Sequence, residues 1–289
     1  MSSGSLQEQF LGEELSAAEN EMATARFEVV PCGLEATVSY GTGAAKGPAA
    51  IIAASHQLER LTNGKVPCAD GIFTHAPIDC SQAIESVMAD LRAQTAAIVG
   101  RGHIPVTLGG EHSVSYGAVM GVVDALDAPL GLVHIDAHAD FRNAYQGHKH
   151  SHASVMHLLA QEGLPMASFG VRALAEEEEA ARRAHGVITH DAGDLVRGNI
   201  SGITLPDDFP ENIYVTFDLD GLDPSIMPAT GTPVPGGLGY YQALDLVAST
   251  LEGRRCVGID VMELAPIDGQ PASDFTAAQI TYYLMSLCQ

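Results

Sequence analysis

Short apolar runs alternate with longer segments of helical periodicity along most of the chain. The run FEVVPC at 27–32 is followed by KGPAAIIAASHQLERL, in which Ile51, Ile52, Leu58 and Leu61 mark one apolar face. The same alternation predicts a helix over about 79–100, a strand from 104, a helix over about 113–126, a strand from 130 and a helix over about 153–161. Strands and helices that take turns in this way indicate a sheet flanked by helices.

The later apolar runs are rich in β-branched residues and lack polar alternation. They are MASFGV, GVIT, NIYVTFDLD and RCVGIDVMEL. This composition is typical of parallel strands that are buried on both faces. The segment DFTAAQITYYLMSL predicts a closing helix with its N-cap at Ser273 or Asp274.

Two segments fall outside this pattern. Residues 1–25 read as a polar, helix-prone N-terminal arm, and EEEEAARRAHG at 176–186 reads as an acidic surface helix. Both are interpreted as solvated faces without a catalytic part. A chain of 289 residues with 46% hydrophobic residues can bury one large core, so we expect a single domain over 26–289.

The apolar runs and the cysteines indicate a cytoplasmic protein. No run approaches the roughly 18 apolar residues that span a bilayer, and the first 26 residues are too polar for a signal peptide. The five cysteines are widely spaced and odd in number, which favours reduced thiols. Cys68 and Cys80 bracket a loop and could pair, but a reducing compartment opposes this.

The formal net charge of −22 comes from 36 acidic residues against 14 basic ones. Nucleic acid and anionic membranes are therefore poor candidate partners. Such a charge would attract a cationic substrate, although solubility or a salt-rich cytoplasm is the simpler explanation.

Metal-binding residue types gather at the end of the strand LGLVHID. Because side chains alternate along a strand, Asp136, His138 and Asp140 emerge on one side at its carboxyl end. Packed together there, they would be costly to desolvate unless cations compensate them. Ligands of α/β sheets bind at this edge, so we expect a metal site, with solvated loop residues as the alternative.

Two further segments add candidate ligands. The strand NIYVTFDLD places Asp218 and Asp220 at alternate positions, and GGEHS brings His112 to a helix start. Asp223 precedes a proline and is interpreted as a turn residue. Two His and four Asp are too many for one zinc ion and suit two ions of manganese or a similar hard divalent metal, which would activate a water between them near neutral pH.

Six motifs together resemble the ureohydrolase family of arginases and agmatinases. They are GGEHS, DAHAD, SHAS, FDLDGLDP, GTPVPGG and GIDVMELAP, in this order over about 30–285. The resemblance implies a three-layer α/β/α sandwich with a mostly parallel eight-stranded sheet, two Mn²⁺ per subunit and a homotrimer or homohexamer. It also implies hydrolysis of a small cationic guanidino substrate to urea and an amine.

The resemblance assigns the metal ligands residue by residue. One ion would be bound by His112, Asp136, Asp140 and Asp218, and the other by Asp136, His138, Asp218 and Asp220. In this assignment Asp136 and Asp218 bridge the two ions.

The resemblance also gives roles in substrate binding and catalysis. His152 would supply the proton to the leaving amine, Asp140 would accept one from the attacking water, and Thr232 would line the pocket. Glu263 would hold the planar guanidinium with two parallel hydrogen bonds. The neighbouring His148, His150 and His157 are interpreted as loop or helix residues.

The segment FRNAYQGHKHSHAS bears on the substrate. It lacks the Thr, Ser and Asn-rich loop with which arginases contact the α-amino and α-carboxylate groups, and it resembles agmatinases. We therefore expect agmatine to give putrescine and urea, a step of polyamine biosynthesis. Arg142 or Asn143 could still contact a carboxylate, so guanidinobutyrate, another guanidino acid and arginine stay open. A deacetylase with one metal ion and an inactive metal-binding assembly subunit are the rival classes.

Overall fold

The computed structural model describes residues 8–288 and contains one sheet of eight strands. The strands are β1 (Phe27–Cys32), β2 (Ile72–Thr74), β3 (Ile104–Gly109), β4 (Leu130–Ile135), β5 (Met166–Phe169), β6 (Ile188–His190), β7 (Asn212–Asp218) and β8 (Arg255–Met262). The helices are α1 (Gly47–Ser55), α2 (Ile84–Gly100), α3 (Ser115–Ala125), α4 (Val155–Gln161), α5 (Glu176–Ala184), α6 (Ala192–Gly198), α7 (Tyr240–Thr250) and α8 (Ala272–Leu287).

The strand order is β2-β1-β3-β8-β7-β4-β5-β6, and every neighbouring pair is parallel. The chain builds β1 to β3 on one side and β4 to β6 on the other, and β7 and β8 then fill the centre. The carboxyl ends of β3, β8, β7 and β4 consequently lie side by side. These are the four strands whose ends carry the predicted site.

Helices cover both faces of the sheet. One apolar cluster includes residues of α1, α6, α7 and α8, and the other includes residues of α2, α3 and α4. Strands β1, β3, β4 and β7 are buried throughout, as the continuous apolar runs predict. The three-layer sandwich is confirmed, with a sheet that is wholly parallel.

The structure differs from the prediction at two helix boundaries and in three elements that were not predicted. Helix α1 ends at Ser55, six residues before Leu61, and α8 begins at Ala272, just ahead of the expected cap. Strand β2 and helices α6 and α7 were not predicted. A three-residue strand such as β2 is too short to show a period, because its position is decided by pairing with β1.

The view of the N-terminal arm as a solvated segment is wrong for residues 9–12, Leu15 and Ala25, which are buried, whereas most of residues 13–24 are exposed as predicted; residues 1–7 lie outside the described part. Phe10 and Leu11 are fully buried, and the Phe10 ring lies 6.4 Å from that of Tyr282 in α8. Their backbone N–H groups donate to Thr74 Oγ1 at 2.9 Å and Ser55 Oγ at 2.8 Å. The arm therefore closes part of the core, while the domain boundary near residue 25 stays a prediction.

The acidic helix α5 is also only partly a solvated face. Glu178 and Arg182 are buried, and Arg182 pairs with Asp191 at 2.7 Å. Glu178 Oε1 accepts a hydrogen bond from Phe141 N at 3.1 Å, directly after Asp140. The sequence of α5 does not indicate this role, because a run of charged residues has the same composition whether its side chains are solvated or paired.

The expectation of reduced thiols is wrong for two of the five cysteines. Cys256 and Cys288 form a disulfide that joins the start of β8 to the end of α8. Cys32, Cys68 and Cys80 are free, so the Cys68–Cys80 pair does not form. The sequence gives no sign of the disulfide, since its partners are 32 residues apart and meet only through the fold.

Across residues 8–288, no helix is long and apolar enough to cross a membrane.

Candidate metal centre and substrate pocket

Three carboxylates converge on one imidazole nitrogen at the centre of the sheet's carboxyl edge. His112 Nδ1 lies 3.1 Å from Asp136 Oδ2, 3.1 Å from Asp140 Oδ2 and 3.2 Å from Asp218 Oδ2. Despite these distances Nδ1 has no hydrogen-bond partner, although it is buried. Donor atoms around a divalent ion with bonds of about 2.1 Å stand about 3 Å apart. The spacing and the orphaned nitrogen fit a metal ion.

A second group of donors adjoins the first. His138 Nδ1 lies 3.1 Å from Asp220 Oδ2 and 3.5 Å from Asp136 Oδ1. Asp136, His138 and Asp220 offer ligand atoms that all lie within 4.8 Å of one another. Because Asp136 belongs to both groups, the donors fit two adjacent ions rather than one.

Backbone turns at the strand ends aim these side chains inward. Asp136 Oδ1 accepts from His138 N at 2.6 Å, and Asp218 Oδ1 accepts from Asp220 N at 2.8 Å. At the end of β3, a Cβ on Gly110 would stand 2.0 Å from Leu34 O, so only glycine fits directly before the segment that carries His112.

Two site residues have left-handed backbone conformations that non-glycine residues rarely adopt. Asp140 has φ 52° and Glu263 has φ 67°. Such strain costs of order 1–3 kcal/mol and collects at functional sites, where the surrounding structure enforces it. Here it directs a carboxylate into the pocket from the segments that follow β4 and β8.

A buried chain of hydrogen bonds fixes the tautomer of His112. Thr216 Oγ1 donates to Asp260 Oδ1 at 2.7 Å, so it accepts from His112 Nε2–H at 2.9 Å. The lone pair of the imidazole is then on Nδ1, the atom that faces the carboxylates. Such outer partners orient metal-binding histidines in general.

His134 and Arg172 also support the centre, and the sequence reading missed both. His134 Nε2 donates to Asp136 Oδ2 at 2.9 Å, which makes it a partner of the carboxylate rather than a ligand. The Arg172 guanidinium donates to the carbonyls of Asp220 and Leu222, at 2.7 and 3.1 Å. Strand alternation could have indicated His134, which stands two residues before Asp136.

The electrostatics of the centre indicate an excess of negative charge. Burial, then Asp220 and Asp136, raise the pKa of Asp218 well above its usual range. Burial opposes a charged imidazole at His138, yet hydrogen bonds to Asp136 and Asp220 raise its pKa to about 12. The raised pKa of Asp218 and the raised pKa of His138 have one cause, because the crowded buried carboxylates are stabilised by a nearby positive charge.

The predicted substrate residues line one pocket beside the metal donors. Glu263 Oε1 accepts from His112 N at 2.7 Å, and Thr232 Oγ1 donates to Asp220 Oδ2 at 3.3 Å. His152 lines the same pocket, and so does the loop at 38–41, which the sequence analysis did not single out. Burial raises the pKa of Glu263 to about 8, against the His112 N–H donor that lowers it.

Residues that were assigned no catalytic role lie outside this pocket. Asp223 accepts from Ser225 N at 3.0 Å and from Gly236 N at 2.8 Å, as a turn residue does. The His150 ring contacts Tyr116, and the His157 ring contacts Phe141. His148 is exposed.

Arg142 and Asn143, the candidate contacts for a substrate carboxylate, do not line the pocket. The Arg142 guanidinium instead lies 3.6 Å from Glu177 Oε1 and 3.5 Å from Glu178 Oε2 of α5. Asn143 is exposed. Among the described residues, the pocket lining contains no Lys or Arg.

Comparisons with known proteins agree with this geometry. The sequence profile of the arginase family matches residues 25–286. The chain belongs to the arginase family. It is an agmatinase-like ureohydrolase, a hydrolase that acts on guanidino C–N bonds. The family depends on binuclear manganese, and the two adjacent His and Asp groups described above fit that chemistry.

Individual relatives match over nearly their whole length. The N(1)-aminopropylagmatine ureohydrolase of Synechocystis sp. is 35% identical over 284 residues, which cover 93% of this chain and 91% of that enzyme. The agmatinase of Pyrococcus horikoshii is 29% identical and covers 92% and 93%. The crystal structure of agmatine ureohydrolase of Thermoplasma volcanium superposes with a TM-score of 0.80 at 27% identity, covering 96% and 94%.

Proposed function

We propose that this ureohydrolase uses two Mn²⁺ per subunit to hydrolyse agmatine to putrescine and urea. The observation that carries the substrate class is the pocket lining, which contains four carboxylates and neither Lys nor Arg among the described residues. Apart from the proposed ions, a substrate carboxylate would therefore find four carboxylates and no Lys or Arg side chain to pair with. This favours a guanidinoalkyl amine over arginine and guanidinobutyrate.

The charges of the site support the division of labour among its carboxylates. The four aspartates of the centre, Asp136, Asp140, Asp218 and Asp220, carry the charge that balances two divalent ions. Glu263 is then the carboxylate left over for the guanidinium. It is buried, and a buried guanidinium–carboxylate pair is planar, charge-assisted and sensitive to geometry.

In this proposal the bound ions supply a deprotonated water at neutral pH. The residues of the chain do the rest. Glu263 would hold the guanidinium with its central carbon toward the metal-binding side chains, and Asp140 would take the one proton that the attacking hydroxide still carries. His152 gives a proton to the amine nitrogen as the C–N bond breaks. Thr232 narrows the pocket beside Asp220.

A second candidate substrate is N(1)-aminopropylagmatine, which the Synechocystis relative is named for. This longer amine has the same guanidinium and a further ammonium group. The exposed Tyr40 at the pocket mouth, with 85% of its surface accessible, could face such an extension. In this proposal the guanidinium of both compounds binds at the bottom of the pocket, and only the aminopropyl extension of the longer amine reaches the rim.

The remaining expectations belong to the same proposal. A homotrimer or homohexamer is expected from the family resemblance, and a cytoplasmic location is expected from the polar first residues and the lack of long apolar runs. Two metal ions per chain would argue against the deacetylase alternative, and urea release would exclude an inactive assembly subunit.

The test is urea release by manganese-loaded protein from a panel of guanidino compounds. The panel contains agmatine, N(1)-aminopropylagmatine, arginine, guanidinobutyrate, guanidinopropionate and guanidinoacetate. We expect the two amines to have the highest kcat/KM. A preference for arginine or a guanidino acid would overturn the substrate assignment, and no urea from any compound would overturn the function.

A further inference from the structure

A threonine of the pocket loop holds the ring of His152 from behind. Thr37 Oγ1 lies 3.1 Å from His152 Nδ1, and it also accepts the backbone N–H of His152 at 3.1 Å. Thr37 itself is buried and donates to Glu111 Oε1 at 2.9 Å. The sequence reading assigned no role to Thr37 or Glu111.

The direction of these hydrogen bonds follows from the number of protons available. Glu111 is fully buried and is surrounded by donors, namely the N–H groups of Ala36 and Thr37, both at 2.6 Å, and the hydroxyls of Thr37 and Ser113. A carboxylate in such a cradle only accepts, so the single hydroxyl proton of Thr37 points to Glu111. Toward His152, Thr37 Oγ1 can then offer only lone pairs.

It follows that His152 Nδ1 must carry a proton, because two acceptors cannot bond to each other. The neutral ring is therefore the Nδ1–H tautomer, with its lone pair on Nε2. Since Nδ1 is engaged behind the ring, Nε2 is the nitrogen that remains for chemistry in the pocket that His152 lines. The pair also fixes the orientation of a ring that is only partly buried.

We propose that Thr37 and Glu111 are positioning residues that hold His152 in the Nδ1–H tautomer for proton transfer through Nε2. This inference rests on the proposed function, in which His152 protonates the leaving amine. In that step the Nε2–H bond of the imidazolium breaks and an N–H bond forms on the amine. The electron pair of the breaking C–N bond goes to the amine nitrogen, and the Nδ1–H bond to Thr37 is kept throughout.

Glu111 couples this arrangement to the metal centre. It directly precedes His112 in the chain, so one short segment after β3 supplies both a candidate metal ligand and the acceptor that anchors Thr37. Through Ala36 N and Thr37 N it also fixes the start of the loop whose residues Val38–Gly41 form the pocket wall. Glu111 therefore helps to position the candidate ligand His112, the proton donor His152 and the pocket loop at 38–41.

The variants Thr37→Val and Thr37→Ser separate positioning from packing. Valine keeps the shape of threonine but lacks the hydroxyl, whereas serine keeps the hydroxyl. We expect Thr37→Val to lower kcat about 10- to 100-fold with KM and manganese content unchanged, and Thr37→Ser to restore kcat to within about threefold of wild type. Thr281→Val, at a buried threonine of α8, is the matched control and should retain wild-type kcat.

Wild-type kcat in Thr37→Val, or equal loss in the serine and valine variants, would overturn the inference. A second readout is independent of turnover: the ¹⁵N shifts of the His152 ring, measured in the full chain loaded with diamagnetic Mg²⁺. The wild type should show a protonated Nδ1 in the neutral ring, and Thr37→Val should increase the Nε2–H form. A wild-type ring with its proton mainly on Nε2 would overturn the inference. If the wild type released no urea, the proposed function would fail while this spectrum still decided the tautomer.

Discussion

Glu263 combines two features that are unfavourable for folding. The residue is only 8% exposed, and its backbone lies at φ 67°, a region that costs a glutamate of order 1–3 kcal/mol. Burial raises its pKa to about 8, so the empty pocket disfavours the charged form. A guanidinium that binds here offsets the unfavourable free energy of the buried, charged Glu263 carboxylate, because its positive charge pairs with that carboxylate.

Glu263→Gln should therefore reduce activity without unfolding the site. Glutamine has the same size and can still accept the His112 N–H, but it lacks the charge that a guanidinium pairs with. We expect kcat/KM for the preferred guanidino substrate to fall about 100-fold or more, which corresponds to about 3 kcal/mol of lost charge pairing. Steady-state urea release measures this.

Manganese content is the control for that variant, and it should stay at the wild-type value because Glu263 is not among the proposed ligands. The surface variant Glu252→Gln makes the same chemical change at an exposed position and should leave kcat/KM unchanged. Wild-type activity in Glu263→Gln would remove Glu263 from the substrate site.

The metal ligands that the sequence indicated without the resemblance follow a local rule, whereas the roles of His152, Glu263 and Thr232 came from the family resemblance. Asp136, His138 and Asp218 alternate at the ends of apolar strands, where a carboxylate is out of place unless it has a function. His134 and Thr216 obey the same alternation, but a lone His or Thr inside a strand is ordinary and was passed over. The role of Thr37 could not be predicted from the sequence, because only the fold brings Thr37 next to His152.

At the scale of elements, β1 has a charged residue inside the buried sheet. Glu28 is fully buried and accepts hydrogen bonds from Arg101 at 2.7 Å, His103 at 2.7 Å and His75 at 2.5 Å. His75 follows β2, and Arg101 and His103 lie between α2 and β3, so one carboxylate joins two connections of the chain to β1. Burial alone would raise its pKa, but the hydrogen bonds lower the pKa of Glu28 to about 2.

This cluster predicts a pH-dependent part of the stability. The folded-state pKa lies below the ordinary value of 4.5, so the contribution is complete above about pH 4.5 and is lost as the pH falls toward 2. Its full size is about 3 kcal/mol. We expect Glu28→Gln to lower the free energy of unfolding by about that amount at pH 7, and the gap to the wild type to shrink by more than half at pH 3.

Urea denaturation at pH 7, 5 and 3 measures the gap, with Glu252→Gln as the exposed control that should show none. A gap of constant size across this range would mean that Glu28 acts through packing rather than through charge.

Elements were predictable where an apolar run or period is clear, and length alone did not decide this, since the three-residue β6 was predicted and the 11-residue α7 was not. The six-residue strands β1, β3 and β4 contain enough apolar positions to be recognised from the sequence. Strand β2, in contrast, forms because its three residues pair with β1. Helix α5 was found, but its buried Glu178 was not, because nothing local distinguishes it from Glu176 or Glu177. What the sequence did not reveal is which member of a charged run turns inward.

At the scale of the whole molecule, three residues of the N-terminal arm, Phe10, Leu11 and Leu15, belong to the core. We expect Phe10→Ala to lower the free energy of unfolding by about 3–5 kcal/mol, since it removes a fully buried ring that packs near Tyr282. For a chain of this size the melting temperature should fall by about 6–10 °C. Thermal unfolding followed by circular dichroism measures the shift.

Leu61→Ala is the comparison for the arm, because Leu61 is 65% exposed and its removal should change stability by at most about 0.5 kcal/mol. Equal melting temperatures for the two variants would show that the arm does not contribute to the core.

The metal centre links stability to its ligands. Without cations, several buried carboxylates lie close together and repel one another. Burial, followed by the charges of Asp220 and Asp136, raises the pKa of Asp218 well above its usual range. Ions that bind only the folded chain stabilise it by RT ln(1 + [L]/Kd), about 2.7 kcal/mol per site at 100 times Kd. Protons compete for the same nitrogens, since the carboxylates raise the pKa of His138 to about 12.

Manganese should therefore raise the melting temperature of protein stripped with EDTA, and by more at pH 8 than at pH 6, where proton competition is stronger. The rise should be about 5 °C for each site filled to 100 times its Kd. His138→Asn removes a donor of one group only, so it should keep the part of the rise that belongs to the group around His112 Nδ1. Differential scanning fluorimetry with elemental analysis follows both quantities. An EDTA-treated wild type that melts at the same temperature with and without manganese would contradict a metal site at this edge of the sheet.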